Sequence, residues 1–354
     1  MTPPDPRTLP LASFRPRTAA RPRTTLVERA AVPAVDVHNH LGRWLVEDGQ
    51  AFMVADVEDL IALMDEVNVR TVVNLDGRWG DELEENLDRY DRAHPGRFAT
   101  FCHVDWTRLA DPDLAAAELV QSLERSAAAG ARGLKVWKDL GLGFRDAAGR
   151  LVLPHDPRIA PVWAAAGRLG LPVLIHIADP MAFFDVVDET NERLEELGRH
   201  PDWSFHGGDF PSFAELMASL DALAAAHPST TFIGAHVASC AEDPDAVSAL
   251  LARRPNLHVD ISARISELGR QPRAARRLVE RHPSRVLFGT DEFPPSRAAY
   301  QRYFRVLETD DEWFPYSDAE IPPQGRWHIS ALDLPPELLP GVYADNARRL
   351  LRLP

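Results

Sequence analysis

The chain predicts an α/β fold of the (β/α)8, or TIM-barrel, class, and three observations carry the prediction. Eight short β-branched runs alternate with longer amphipathic stretches, the pattern of successive βαβ units around a parallel sheet. The length of 354 residues suits one barrel with insertions. No G-x-G-x-x-G follows the first apolar run, so the main signal of an open dinucleotide-binding sheet is missing.

The elements follow in order. Residues 1–31 form a Pro/Arg-rich arm, with six prolines and six arginines against Asp5 and Glu28. The arm lacks periodicity and cannot bury much apolar surface, so it is expected to be disordered or laid across the body or a neighbouring subunit. The barrel domain is expected over 32–354. Its strands are expected at 35–40, 71–76, 98–105, 133–137, 172–177, 231–237, 257–261 and 286–291. Helical spacing recurs between them: over 57–67 the apolar residues are Leu60, Ile61, Leu63, Met64 and Val67. Similar stretches occupy 114–129, 161–169, 213–226, 246–254 and 273–281. Gly130, Gly170 and the His-Pro pairs beginning at His94, His200, His227 and His282 punctuate helix ends. The long interval at 179–211 predicts a lid-like excursion after the fifth strand. A second insertion, aromatic, is expected at 310–330 (Trp313, Phe314, Tyr316, Trp327).

Composition narrows the function. With 45% hydrophobic and 26% charged residues the chain is ordinary for a globular protein. A formal net charge of −14 argues against a nucleic-acid partner. No apolar stretch is long enough to span a bilayer, and the first residues lack the apolar core of a secretory signal. Two cysteines cannot build a disulfide framework. A cytoplasmic enzyme acting on a small molecule, with no membrane partner, is the expectation. The 13 histidines point to chemistry, because imidazole titrates near neutrality and ligates metals.

Four of those histidines share a geometry. The first strand ends in Asp36-Val-His38-Asn-His40, and residues two apart on a strand face the same way. The fifth strand ends at His176, the sixth at His236, and the eighth in Gly-Thr-Asp291. A polar residue that closes an apolar strand is costly unless paired, and here five such residues gather at one end of four strands. A metal or catalytic site at the barrel mouth is expected. Zinc held by nitrogen ligands with an open position makes water a nucleophile near neutral pH. His94, His200, His227 and His282 are read as solvated boundary residues, and His103, His155, His206, His258 and His328 share no geometry.

The ordered set D-x-H-x-H, His, His, G-T-D resembles the amidohydrolase superfamily. The closing Tyr343-Ala-Asp-Asn346-Ala347-Arg-Arg-Leu350 is similar to that of its amidohydrolase-related branch, which includes aminocarboxymuconate-semialdehyde decarboxylase, resorcylate-type decarboxylases and dicarboxylate lactonases. The resemblance covers about 34–353. It implies one divalent metal, zinc with manganese as the alternative, held by His38, His40 and His176. Asp291 would be a further ligand or the acceptor of a proton from water, and His236 would polarise the substrate or shuttle a proton. A homodimer is expected on the same analogy. The resemblance implies either hydrolysis of a lactone, amide or related bond, the leading expectation, or decarboxylation of an aromatic or muconate-like acid.

Basic and aromatic residues near the strand ends complete the candidates. Lys135, in Gly-Leu-Lys135-Val-Trp137-Lys138, is expected to meet an anionic substrate as a free ammonium rather than as a carboxylated bridge, and Lys138 to be exposed. Arg43, Arg78 and Arg264 lie in βα loops, where a guanidinium can grip a carboxylate; an ordinary loop salt bridge is the competing reading. Trp137, with Trp44, Trp79, Trp106, Phe183 and Phe184, is a candidate wall of the site.

Overall fold

The computed structural model describes residues 6–10, 18–46, 49, 51–111 and 116–353. Eight parallel strands form the barrel: β1 (Ala34–Asn39), β2 (Val69–Asn74), β3 (Phe98–Thr100), β4 (Leu134–Val136), β5 (Val173–Ile175), β6 (Phe232–Gly234), β7 (Leu257–Asp260) and β8 (Val286–Leu287). β1, β2 and β3 pair in sequence order, as do β4 through β8. A parallel bridge between Cys102 and Leu134 joins the two runs. The last seam closes where Val37 N–H donates to the Phe288 carbonyl (3.0 Å) and Asp291 N–H to the His38 carbonyl (2.8 Å).

Most strands are shorter than the sequence predicts, and the difference falls at their C-terminal ends. β3 stops at Thr100 rather than 105, and β6 at Gly234 rather than 237. The chain leaves the ladder there because the residues that follow take turn conformations at the rim. Inside the barrel, Val35, Val37, Val73, Leu75, Leu174, Ile233 and Leu287 are all buried in one cluster. A larger cluster packs the outer faces of the strands against the helices.

The expected helices occur at Val57–Glu66, Ala116–Ala129, Ala160–Leu169, Phe213–Ala226, Pro244–Arg253 and Pro272–Arg281. The start of the stretch expected from residue 114 lies outside the described residues. Ser212 caps the helix at Phe213 through a capping box with Glu215, and Asp56 and Asp243 cap others. Gly170 ends the Ala160–Leu169 helix in a left-handed conformation (φ 68°) that suits glycine. His200, His227 and His282 stand at helix C-termini, as their His-Pro context suggests.

The excursion at 179–211 contains short helical turns at Met181–Phe184, Leu194–Arg199 and Pro201–Trp203. Fully buried Arg193 ties it to the loop after β7 by pairing with Glu267, and also pairs with Glu196 (2.6 Å). In the 310–330 insertion Phe314–Pro315 pairs antiparallel with His328–Ile329, and Arg326 bonds Glu195 across to the first excursion (2.7 Å). The arm lies partly outside the described residues. Its described C-terminal part lies on the barrel body: buried Asp311 accepts from Thr25 N–H (2.7 Å) and Thr25 Oγ1 (2.8 Å). Arg23 pairs with Asp310 (2.7 Å).

Candidate metal centre and active site

The chemistry-bearing residues stand where the strands give out. His38 is on β1 and His40 just past it. Asp291 lies beyond β8 with a left-handed backbone (φ 56°) that turns its carboxylate inward. Asp291 Oδ1 stands 3.4 Å from His40 Nε2 and 3.7 Å from His38 Nε2. The three residues offer ligand atoms that lie within 4.8 Å of one another.

Buried carboxylates determine which ring nitrogens face the centre. His40 Nδ1–H donates to Asp76 (2.6 Å), and His38 Nδ1–H to Asp260 (3.0 Å). A carboxylate only accepts, so each Nδ1 carries the proton and each Nε2 the lone pair. His176 is reversed: its Nε2–H donates to the Ala178 carbonyl (3.1 Å), which leaves Nδ1 as the acceptor. His40 Nε2, His176 Nδ1 and Asp291 Oδ1 are buried without a hydrogen-bond partner. Buried acceptors left bare are costly, and a divalent cation is the species that satisfies several at once. His38, His40 and Asp291 therefore fit a metal, whereas His176 presents a bare Nδ1 but falls outside the group of ligand atoms within 4.8 Å of one another. A second grouping, His38 with His236 and Asp260, does not need one, because Asp260 already accepts from Ser262 Oγ (2.5 Å), Ser262 N–H (3.0 Å) and His236 N–H (3.0 Å).

Electrostatics keeps the imidazoles neutral, the form that ligates. Burial holds His38 and His236 well below their usual pKa, helped by the Lys135 charge beside His38 and by His176 beside His236. Burial lowers His176 to about 4. Burial raises the Asp291 carboxyl to about 6, although His40 and Lys135 pull the other way.

His176 and His236 stand edge to face with ring centroids 4.5 Å apart, and His236 Nε2 lies 3.8 Å from Asp291 Oδ2. His236 opens a turn in which residues 236–239 all have φ between 54° and 59°. Left-handed backbone costs about 1–2 kcal/mol per non-glycine residue. Asp260 holds the turn through His236 N–H, and Ser239 N–H donates back to Ala235 (2.9 Å). Strain maintained at a site of this kind points to a positional demand on His236.

The structure separates the basic candidates. Lys135 is fully buried, with Nζ 3.3 Å from His38 Nε2, and burial lowers it to about 8. Arg264 is 6% exposed; among the described residues its guanidinium makes one hydrogen bond, to the Ala263 carbonyl (2.9 Å), with no carboxylate at salt-bridge distance. Arg43 is not brought to the centre: it pairs with Glu85, packs over Phe52 and lines an outer cavity of about 720 Å³. The nearby carboxylate and ring capture it, as the loop-bridge reading allowed. Arg78 lies over Trp79 and Trp44, 4.4 and 5.2 Å from their ring centroids, and so backs an aromatic wall. Lys138, expected to be exposed, is largely buried and pairs with Asp179, because that carboxylate closes over it from the loop after β5. Burial disfavours ionised Asp179, but His176 and Lys138 outweigh it and hold the carboxyl well below its usual range.

Trp137 faces the centre, 5.3 Å from His176, 5.8 Å from His40 and 4.9 Å from Trp44, ring to ring. Exposed Phe293 stands 5.2 Å from His40 on the outer side. Trp106 packs against Trp163 in the core instead. A cavity of about 490 Å³ reaches Asp291 and is walled by Tyr303, Tyr316 and Gln324, so the 310–330 insertion lines the approach.

Sequence reasoning missed the residues behind the ligands. Asp76, Asp260, Asp179 and Ser262 all touch a candidate histidine. Asp76 is the last residue of its predicted strand and Asp260 the last but one, as Asp291 and His176 are of theirs, and that shared position is the signal that could have found them.

Comparisons with known proteins fit this geometry. A family model described as amidohydrolase matches residues 35–353. No curated protein sequence matches. Among solved structures, 2,6-dihydroxybenzoate decarboxylase from Rhizobium is similar at 18% identity and a TM-score of 0.54, covering 91% of this chain and 99% of that one. The 5-carboxyvanillate decarboxylase from Sphingomonas paucimobilis is similar at 15% identity and a TM-score of 0.55, covering 92% and 100%. An uncharacterised TIM-barrel protein from Bordetella bronchiseptica matches at 13% identity and a TM-score of 0.55, covering 90% and 98%. At these identities the structures speak for the barrel fold, whereas the family model spans nearly the whole chain: this protein belongs to the amidohydrolase family.

Proposed function

We propose that the protein is a metal-dependent hydrolase that cleaves a lactone, amide or related bond in a small carboxylated or aromatic compound. The observation that carries the reading is the gathering of His38, His40 and Asp291, whose ligand atoms lie within 4.8 Å of one another, with His40 Nε2 and Asp291 Oδ1 buried and bare and His176 Nδ1 as a further bare donor. A divalent ion held there, zinc by the nitrogen-rich set with manganese as the alternative, supplies Lewis acidity that makes water a nucleophile and polarises a carbonyl. Asp291, with Oδ1 3.4 Å from His40 Nε2 and Oδ2 3.8 Å from His236 Nε2, would take the proton of the attacking water. His236 keeps its Nδ1–H on the Ser262 carbonyl (2.9 Å), so its Nε2 lone pair faces Asp291 and can receive that proton for the leaving group. Lys135 and Arg264, both buried, supply positive charge for a substrate carboxylate. Trp137 and Trp44 exclude water from one side. Cys102 and Cys240 are free and buried, which supports a cytoplasmic placing.

A second reading, decarboxylation of an aromatic acid, is favoured by one arrangement: the Trp137 ring lies 5.4 Å from Lys135 Nζ, so a flat ring and a carboxylate could be held together. Two solved structures with this fold are named as decarboxylases of such acids. Turnover in ¹⁸O-labelled water, over a panel of lactones, amides and aromatic acids, separates the readings. Hydrolysis places one ¹⁸O in the product carboxylate. Carbon dioxide release with no ¹⁸O in the remaining product overturns the leading reading in favour of the second. For the same reason Arg264→Met should raise KM for a carboxylated substrate by about 10- to 100-fold, as expected for loss of a charge-assisted contact.

A further inference from the structure

We propose that Ser262 is a positioning residue shared by two histidines: one hydroxyl accepts from the Nδ1–H of both His38 and His236 and sets their relative orientation. His38 thereby turns Nε2 to the cation and His236 turns Nε2 to the reacting proton. The proposal deepens the metal-dependent reading above and rests on it for the roles of the two rings.

Ser262 Oγ lies 2.5 Å from Asp260 Oδ1, 2.9 Å from His38 Nδ1 and 3.0 Å from His236 Nδ1. A serine hydroxyl has one proton to give and two lone pairs to receive with. Asp260 is a carboxylate and only accepts, so the Ser262 proton goes to it. The oxygen is then left as an acceptor toward both imidazoles, and each Nδ1 must bring its own hydrogen. The alternative acceptors agree: His38 Nδ1 also reaches Asp260 Oδ2 (3.0 Å), and His236 Nδ1 the Ser262 carbonyl (2.9 Å).

The residue is also fixed in place. Ser262 is fully buried, its N–H donates to Asp260 (3.0 Å), and Ala263 after it has φ 54° with its N–H on the Tyr303 hydroxyl (2.7 Å). Asp260 accepts the His236 backbone N–H as well. The two rings are 4.8 Å apart, so their common partner sets their relative orientation. Aligning groups beyond the ligands are worth about 10- to 100-fold in metal affinity or activity when removed.

The test is long-range ¹H–¹⁵N NMR of the imidazoles in the full chain, zinc-loaded and after chelation, with His38→Gln and His236→Gln variants for assignment. In wild type both rings should show the Nδ1–H pattern. Ser262→Ala, with Ser262→Cys as a closer match in volume, should keep both rings Nδ1–H, held by Asp260 and the residue 262 carbonyl, but shift both Nδ1 resonances and weaken zinc about tenfold in a chelator competition. Turnover should lose kcat about 10- to 100-fold with KM changed less than about twofold, and Ser262→Thr should restore the Nδ1 resonances and the zinc affinity. Unchanged Nδ1 resonances of both rings with unchanged zinc affinity in both loss variants overturn the proposal. Wild-type protein that keeps no zinc overturns the metal reading instead, and the chelated spectra still decide the role of Ser262.

Discussion

Asp291→Asn lowers turnover by about 10³- to 10⁴-fold while the protein stays folded, the range expected when a general base is removed. Asparagine keeps the shape and an oxygen, and it tolerates the left-handed backbone at φ 56°. The backbone bond from residue 291 to the His38 carbonyl survives, so the seam of the barrel is undisturbed. What disappears is an ionisable group 3.4 Å from His40 Nε2 and 3.8 Å from His236 Nε2. Steady-state kinetics on any substrate found in the panel, with a thermal melt of the same sample, checks this. A variant that keeps more than a tenth of wild-type kcat removes Asp291 from the proton path.

The largest expected loss of stability falls at Asp36. Its Oδ1 accepts from His38 N–H (3.1 Å) and Thr290 N–H (3.0 Å). Its Oδ2 accepts from Asn39 Nδ2 (2.9 Å), Thr290 Oγ1 (2.7 Å) and Tyr300 OH (3.0 Å). Burial raises the Asp36 carboxyl to about 6, and the donors from Thr290, His38 and Tyr300 pull against that rise. The residue staples β1, which carries His38, to the turn after β8 that carries Asp291. Asp36→Ala leaves several of these buried donors bare at about 1–3 kcal/mol each, so a loss of at least about 3 kcal/mol is expected. Urea unfolding should show a lower midpoint with the slope unchanged. A loss below about 1 kcal/mol would mean that water or neighbouring groups replace the carboxylate, and Asp36 would not be the staple.

The eight-strand count and its order were legible because apolar runs and amphipathic stretches alternate with little interruption. The H-x-H pair and the later His176, His236 and Asp291 were legible because each breaks an apolar run at the same end of a strand. Their supports were harder to read. The Asp76–His40 contact spans 36 positions and the Asp260–His38 contact 222, so nothing local ties either acid to its histidine. The exposure expected of Lys138 fails for the same reason, since its partner Asp179 comes from the loop after the next strand. Arg43 and Arg78 share a G-R-W context, yet one meets Glu85 and the other two tryptophan rings. The left-handed turn at 236–239 contains no glycine to announce it. Strand ends were overextended because apolar residues such as Phe101, Val104 and Val237 remain buried after the ladder has stopped.

The proposed chemistry requires that His38, His40 and Asp291, with His176 as a further donor, hold one divalent metal. Elemental analysis of purified protein, reconstituted and then freed of loose ions, tests it most directly. Wild type should retain about one equivalent, and His40→Ala less than about 0.2, because structural and catalytic sites of this kind bind only through their deprotonated donors. Less than about 0.2 equivalents in wild type, with activity indifferent to a chelator, would contradict the account.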